Sequence, residues 1–185
     1  MMMVKELQDI ADIFSGVQIS RFIDNNSELR PVIKNKFING NILDYSFENI
    51  SKDINQKYFS KKGDIIISLS QPNSVSIMHK NGFIITMYFA IIRLKEGFDT
   101  SFIYHLLDSD EFHKKLYTLL EGGNLRVIKV SDLKKIKINI PNIENQKKYG
   151  ELLNLIDKKN NLLENKKKCN DKFKEYIIKT QGEGE

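Results

Sequence analysis

The stretch from Asn142 to Lys179, NIENQKKYGELLNLIDKKNNLLENKKKCNDKFKEYIIK, limits what this chain can fold into more than any other. It holds no proline and a single glycine, Gly150. Apolar side chains recur at Tyr149, Leu152, Leu155, Ile156, Leu162, Leu163, Cys169, Phe173, Tyr176 and Ile177. At about 100° per residue they gather on one side of a helix. Tyr149, Ile156, Leu163 and Ile177 form one column, and Leu155, Leu162, Cys169 and Tyr176 another. Both columns advance in steps of seven, the period of a left-handed coiled coil. Helical throughout, the stretch is about 57 Å long at 1.5 Å per residue. The residues before it are too few to cover such a rod, so about half of it is expected to project and to need a partner. Lys159, Lys166 and Asn170 fall inside the stripe, and polar members of a seam fix register and partner. The alternative is a terminal helix folded back along its own domain.

The remaining composition is that of a soluble globular chain. Apolar residues make up 41% and charged residues 29% of 185, enough for one domain plus an appendage. No apolar run reaches membrane-spanning length, and Met-Met-Met-Val-Lys does not have the shape of a signal peptide. One cysteine, Cys169, excludes an internal disulfide and a cysteine-based zinc site. The expected location is therefore cytoplasmic. Net charge is +5, from 29 basic and 24 acidic residues. Residues 1–141 contribute 19 and 16, and residues 142–179 contribute 10 and 6. A mild basic excess permits nucleic-acid binding without requiring it.

The expected class is α+β: a small, mixed, β-rich domain over 1–141, a long helix over 142–179, and a flexible tail over 180–185. Val4–Phe14 places Leu7, Ile10, Ala11 and Phe14 at helical spacing, although Ile13 also permits a strand. Gly16 breaks that pattern, and Gly16–Arg21 reads as a polar loop or strand. Arg30–Phe37 and Asn41–Leu43 read as a strand pair about Asn39-Gly40. Ser46–Ser60 reads as loop with a helical turn. Lys62-Gly63-Asp64 turns into the buried strand Ile65–Ser70. Val75–His79 and Gly82–Leu94 read as strands joined at Asn81-Gly82. Phe98–Leu120 reads as helix, ended by Gly122-Gly123. Val127–Val130 and Lys135–Ile140 read as strands around a helical turn at Ser131–Lys134, and Pro141 closes the domain.

Motifs for catalysis are missing. There is no Gly-rich phosphate loop with lysine, no Gly-x-Gly-x-x-Gly after a strand and no Asn-Pro-Pro-aromatic signature. His79, His105 and His113 are dispersed, and the last two are eight apart on one predicted helix, wrong for a metal pair. Asp108 or Asp110 with Asp132-Leu133-Lys134 only loosely mimics a metal-nuclease pattern. The sequence reads as a non-enzyme with no metal and no cofactor of its own.

Three segments together resemble the specificity subunits of type I restriction–modification systems. The first is Leu7–Gly16 followed by Gln18-Ile19-Ser20-Arg21. The second is Lys62–Ser68 with Phe89–Leu94. The third runs from Glu121 to Asp157, through Gly122-Gly123-Asn124-Leu125-Arg126, Asp132–Ile136, Ile138–Pro141 and Glu144-Asn145-Gln146. The family usually shows Pro-Pro before its helix, where this chain has Ile140-Pro141-Asn142. The usual subunit also carries two target-recognition domains and two long helices in pseudo-twofold array, so this chain looks like half a subunit. The resemblance implies a homodimer through an antiparallel coiled coil, with the helices as ruler between two recognition domains. It implies a bipartite palindromic target in double-stranded DNA, partner methyltransferase subunits that bind S-adenosylmethionine, and a restriction subunit where one exists.

A DNA reader of this kind needs polar side chains presented to base edges. Candidates are Gln18, Ser20 and Arg21 after the first glycine, and Gln71, Asn73 and Ser74 in a polar loop. His79, Lys80 and Asn81 stand at the next turn, and Asn124 and Arg126 follow the diglycine. Lys80 and Arg126 suit phosphate contact. The alternative for each is an ordinary solvated loop residue. The rival function is a protein-interaction adaptor, and the remaining one an enzyme of unrecognised chemistry.

Overall fold

The computed structural model describes residues 2–38, 42–120 and 127–182. The chain opens with strand β1 (Met3–Glu6), one helical turn α1 (Leu7–Ile10) and strand β2 (Ala11–Ser15). The helical spacing over Val4–Phe14 therefore gives only one turn of helix. From Ala11 onward burial alternates, with Ala11 and Ile13 inside and Asp12 and Ser15 outside. An adjacent strand, β8 (Phe89–Leu94), captures this segment antiparallel, from Ala11 opposite Leu94 to Ser15 opposite Ala90. Pairing with a neighbour outweighs the weak local preference.

The next segments differ more from expectation. Strands β3 (Ile23–Ile38) and β4 (Ile42–Ile50) form a long antiparallel ladder, so Ser46–Ile50 is strand and not loop. The Asn39-Gly40 turn lies outside the described residues. Strand β5 (Ile65–Ser68) follows a 3-10 turn at Gln56–Tyr58. Strand β6 (Val75–Ile77) pairs with β5, whereas strand β7 (Ile84–Ile85) pairs in parallel with β3. No hairpin joins the two through Asn81-Gly82. The run Gly82–Leu94 is broken at Thr86–Tyr88, because the buried Thr86 hydroxyl donates to the Ile33 carbonyl at 2.8 Å. Helices α2 (Thr100–Leu107) and α3 (Asp110–Leu120) replace a single helix. Ser109 separates them: its hydroxyl donates to the Leu106 carbonyl at 2.7 Å and faces the Phe112 N–H at 3.3 Å. His105 and His113 thus sit on different helices. Val127 makes only an isolated bridge to Ser70, and Val130 already begins helix α4 (Val130–Lys134). Strand β9 (Lys137–Ile140) pairs with β1 and leads into helix α5 (Ile143–Gly182).

The four-stranded sheet β2-β8-β5-β6 is the centre of the domain. Ile65, Ile67 and Ala90 face the helical side, against Ile103, Leu107, Phe112 and Leu116. Ile66, Ile91 and Phe89 face the other side, against Ile33, Met78 and Ile85. Burial on both faces explains why the Ile65–Ile67 run shows no polar alternation. A bidentate ion pair stands at one end of the two inner strands, β8 and β5. Arg93 Nε and Nη2 donate to the Asp64 carboxylate at 2.9 and 2.7 Å, and Nη2 also reaches the Phe59 carbonyl at 3.2 Å. The Asp64 side chain is 2% exposed. Its carboxylate pushes the Arg93 pKa above the ordinary guanidinium value.

Helix α5 is rooted by polar contacts and then leaves the domain. The Asn142 side chain accepts the Asn145 N–H at 3.0 Å and so caps the first turn. Gln146, 1% exposed, donates to the Pro141 carbonyl at 2.8 Å and accepts the Asp99 N–H at 3.1 Å. One turn on, a Cβ at Gly150 would fall 2.5 Å from Asp99 Oδ1 and 2.8 Å from Phe102 N. The lone glycine of the helix therefore lets α2 and α5 approach. Asn154 Nδ2 donates to Ser101 Oγ at 2.8 Å, and its Oδ1 lies 3.0 Å from His105 Nε2. Every residue from Asn154 to Lys179 is exposed. The helix projects and does not fold back. Tyr149, Leu152, Leu155, Ile156, Leu162, Leu163, Phe173, Tyr176 and Ile177 are all 44–63% exposed, and Cys169 is a free, exposed thiol.

Candidate nucleic-acid interface

The polar residues singled out in the sequence gather at the two ends of the central sheet. At one end β2 and β5 finish and β8 begins. Gly16 makes the sharp exit from β2 possible: a Cβ there would lie 2.2 Å from the Thr86 carbonyl oxygen. Its N–H donates to the Phe89 carbonyl at 2.9 Å, and Val17 bridges to Thr86. Held in this way, the 3-10 turn Ile19–Arg21 leaves Gln18, Ser20 and Arg21 exposed. The loop after β5 lies at the same end, since the Leu69 N–H donates to the Tyr88 carbonyl at 2.9 Å. Gln71, which precedes Pro72 through a cis peptide, is exposed, and Ser74 is half-buried.

Asn73 departs from the expectation of base contact. It is 3% exposed, and its amide donates to the Ser68 carbonyl at 3.0 Å, closing its own loop. In this position it shapes the loop that carries Gln71. Met87 and Tyr88, 45% and 51% exposed, lie at the same end and escaped sequence reading because they sit inside an apolar run. An exposed tyrosine at a strand junction offers both a ring face and a hydroxyl. Asn124 and Arg126 lie outside the described residues.

The opposite end of the β5–β6 ladder is basic. His79, Lys80 and Asn81 stand there, exposed, beside Lys61 and Lys62. The two turns brace each other. Ser60 Oγ donates to the Lys80 carbonyl at 2.9 Å, Asn81 Oδ1 accepts the Lys62 N–H at 2.7 Å, and the Gly63 N–H donates to the Met78 carbonyl at 2.8 Å. The carboxylate of this turn, Asp64, points inward to Arg93. Lysines 61, 62 and 80 thus project from a fixed frame as point charges, the form in which lysine binds phosphate. The Lys-Lys pair before Gly63 was the sequence signal for this addition to Lys80.

Between this basic end and α5 runs a groove of about 530 Å³, lined by Ile77, His79, Tyr104, Lys158, Asn161 and Asn165, among others. Burial pushes the Tyr104 phenol up to about 12, so it stays neutral and able to donate. Asp108, at the α2–α3 break, faces His113 at 3.8 Å. Its side chain is 45% exposed, and the partial desolvation it undergoes pushes the carboxyl above its ordinary value, an effect that His113 and His105 partly offset. An acid whose folded pKa is raised contributes stability that is fully present below the unfolded value near 3.9 and is lost as pH rises through the folded value. Asp108→Asn is therefore expected to match the parent near pH 3 and to be the more stable protein at pH 7. Urea midpoints at the two pH values check this, and equal differences at both would contradict it. Among the described residues no three His, Cys, Asp or Glu side chains assemble as a metal set. Among them, too, no helix is long and apolar enough to cross a membrane.

Comparison with known proteins gives a consistent result. A family model described as "Type I restriction modification DNA specificity domain" matches residues 1–170. The type I restriction enzyme MjaVIII specificity subunit of Methanocaldococcus jannaschii is 30% identical over 178 residues, covering 89% of this chain and 41% of that protein. The MjaIX specificity subunit of the same organism is 28% identical over 124 residues, covering 67% of this chain and 28% of that one. The chain thus spans well under half the length of these relatives. Among solved structures, the HsdS subunit from Thermoanaerobacter tengcongensis superposes with a TM-score of 0.63 at 19% identity, over 85% of this chain and 37% of that one. The type I S subunit from M. genitalium gives 0.57 at 18% identity, over 85% and 39%. Both share the fold of a β-rich domain followed by a long helix.

Proposed function

Since this chain belongs to the type I restriction modification DNA specificity family, we propose that it is a sequence-reading subunit that recognises duplex DNA and leaves the chemistry to partners. The observation that carries the fuller reading is the projecting helix α5, whose apolar stripe stands open to solvent beyond Asn154. Such a stripe at heptad spacing is completed by a second helix. Pairing with a second copy in antiparallel register places one recognition domain at each end, and twofold symmetry then implies a two-part palindromic site. Methyltransferase subunits, with S-adenosylmethionine bound on them, would supply methyl transfer, and a restriction subunit would supply cleavage. Gln18, Ser20, Arg21 and Gln71 are assigned to base edges, and Lys80 to phosphate.

Selection of binding sites from a random duplex pool tests this directly. The expected product is two conserved half-sites of inverted sequence separated by a fixed gap. Inserting one heptad between Lys158 and Asn165 keeps the stripe in phase and lengthens the helix by about 10 Å. The half-sites should then remain, while the gap grows by roughly three base pairs at 3.4 Å each. An unchanged gap with altered half-site bases would reverse the roles assigned to domain and helix. An intact dimer that selects no sequence at all would favour a protein-interaction adaptor.

A further inference from the structure

The two long sides of α5 differ in character, and the side turned toward the domain is mostly polar, with Leu162 as its apolar member in the groove. Gly150 and Asn154 mark that side, since both pack on α2. Asn161 and Asn165 continue it across the groove from His79. At about 100° per residue, Lys158, Lys168, Lys172 and Lys179 all fall within roughly 40° of Asn154. Leu163 lies on the opposite side, about 180° away, with Leu152, Ile156 and Ile177 within about 40° of it. The nearest carboxylates, Glu151, Asp157 and Glu175, are each displaced by about 60°. Among the described residues, the ion pairs formed within the helix use Lys148 and Lys174, so the lysines of this side are left for another anion. From Lys158 to Lys179 the row is about 32 Å long at 1.5 Å per residue. That is close to one turn of duplex, roughly 34–36 Å.

We propose that the domain-facing side of α5 is a track for the phosphate backbone of duplex nucleic acid lying in the angle between helix and domain. This rests on the DNA-reading function above and gives the helix a second task beyond pairing and spacing. The choice of occupant follows from charge. A row of lysine and asparagine, whose one groove-lining carboxylate, Asp157, faces His105 at 3.8 Å, complements a polyanion with evenly spaced charges, and the asparagines add neutral donors for phosphate oxygens. The basic turns with Lys80, Lys61 and Lys62 extend the track onto the domain through His79, which lines the groove. Because Leu152, Ile156, Leu163 and Ile177 point the other way, a second helix seated on them leaves the lysines open, with Leu162 and Tyr176 at the boundary.

The test compares two triple variants of the full chain that change net charge equally. One is Lys158→Gln, Lys168→Gln, Lys172→Gln on the track. The other is Lys148→Gln, Lys167→Gln, Lys174→Gln off it. Duplex affinity is measured against salt concentration, with sedimentation of each variant in parallel. Each lost phosphate contact reduces the slope of log affinity on log salt by about 0.9. The track variant is expected to be shallower than the parent by about 2.7 and the control by less than one, with both sedimenting as the parent does. Equal slopes for the two triples overturn the proposal while leaving DNA reading intact. So does an unchanged slope accompanied by altered sedimentation of the track variant, which would assign this side to protein pairing. A parent chain that binds no duplex overturns the underlying function itself.

Discussion

Replacing Leu162 and Leu163 together with aspartate is expected to leave the chain monomeric at micromolar concentration, where the parent is expected to sediment as a dimer. The two leucines are 61% and 54% exposed and sit near the middle of the apolar stripe. In an antiparallel pair the middle of one helix meets the middle of the other. The substitution therefore places four carboxylates around the twofold axis. Each would be buried without a counter-charge, at a cost of several kcal/mol. Neither side chain supports the domain core, so the domain should fold as before. The effect on DNA should be large for a second reason. Two linked recognition domains bind about 10²–10⁴-fold more tightly than one alone when both reach their half-sites. That gain should vanish with the dimer, while weak binding to a single half-site persists. Sedimentation velocity and titration with whole and half sites measure the two effects. A parent chain that is monomeric at micromolar concentration would reject the pairing outright.

The second large effect concerns the fold. Asp64→Ala is expected to destabilise the domain by about 3–5 kcal/mol, the usual cost of removing one partner from a buried ion pair. Arg93 would keep the Phe59 carbonyl at 3.2 Å, the face of the Phe14 ring at 5.5 Å and the longer-range attraction of Asp12. The Lys61 N–H would also lose its acceptor, which now lies at 2.7 Å. Against a typical stability of about 5–15 kcal/mol this is a large fraction. The double replacement Asp64→Leu with Arg93→Met should cost far less, because it leaves no buried charge unpaired. Urea unfolding of the two variants separates the alternatives, and equal losses would mean that packing, not charge, is what Asp64 supplies.

Long-range periodicity was the most legible property of this chain. The seven-residue columns from Tyr149 to Ile177 and the absence of proline announce α5 and its projection. The unbroken Ile65–Ile67 run announces a strand covered on both faces. Short elements were less legible, because neighbours decide them. Leu7, Ile10, Ala11 and Phe14 carry a helical spacing that β8 overrides by pairing with Ala11–Ser15. The apolar spacing through Phe98–Leu120 continues past a break that one serine hydroxyl makes at Ser109. The candidate interface shows the same division. Gln18, Ser20, Arg21, Gln71, His79, Lys80 and Asn81 are exposed, as polar loop residues usually are. Asn73 is not, because an asparagine also serves to close a loop on itself, and composition cannot distinguish the two uses. Tyr88 was hidden by its apolar neighbours, and the partnership of Lys61 and Lys62 with Lys80 appears only once the two turns are folded together.

The root of α5 also has a mechanical meaning. From Gly150 to Lys179 the helix is a lever about 44 Å long at 1.5 Å per residue. A tilt of about 5° at its base moves the tip by about 4 Å, more than the 3.4 Å step between base pairs. The contacts of Gln146, Gly150 and Asn154 with the start of α2 therefore set an angular tolerance. If α5 is the ruler of the proposed function, stiffness there, as much as the number of residues in the helix, decides how sharply one spacing is preferred over the next.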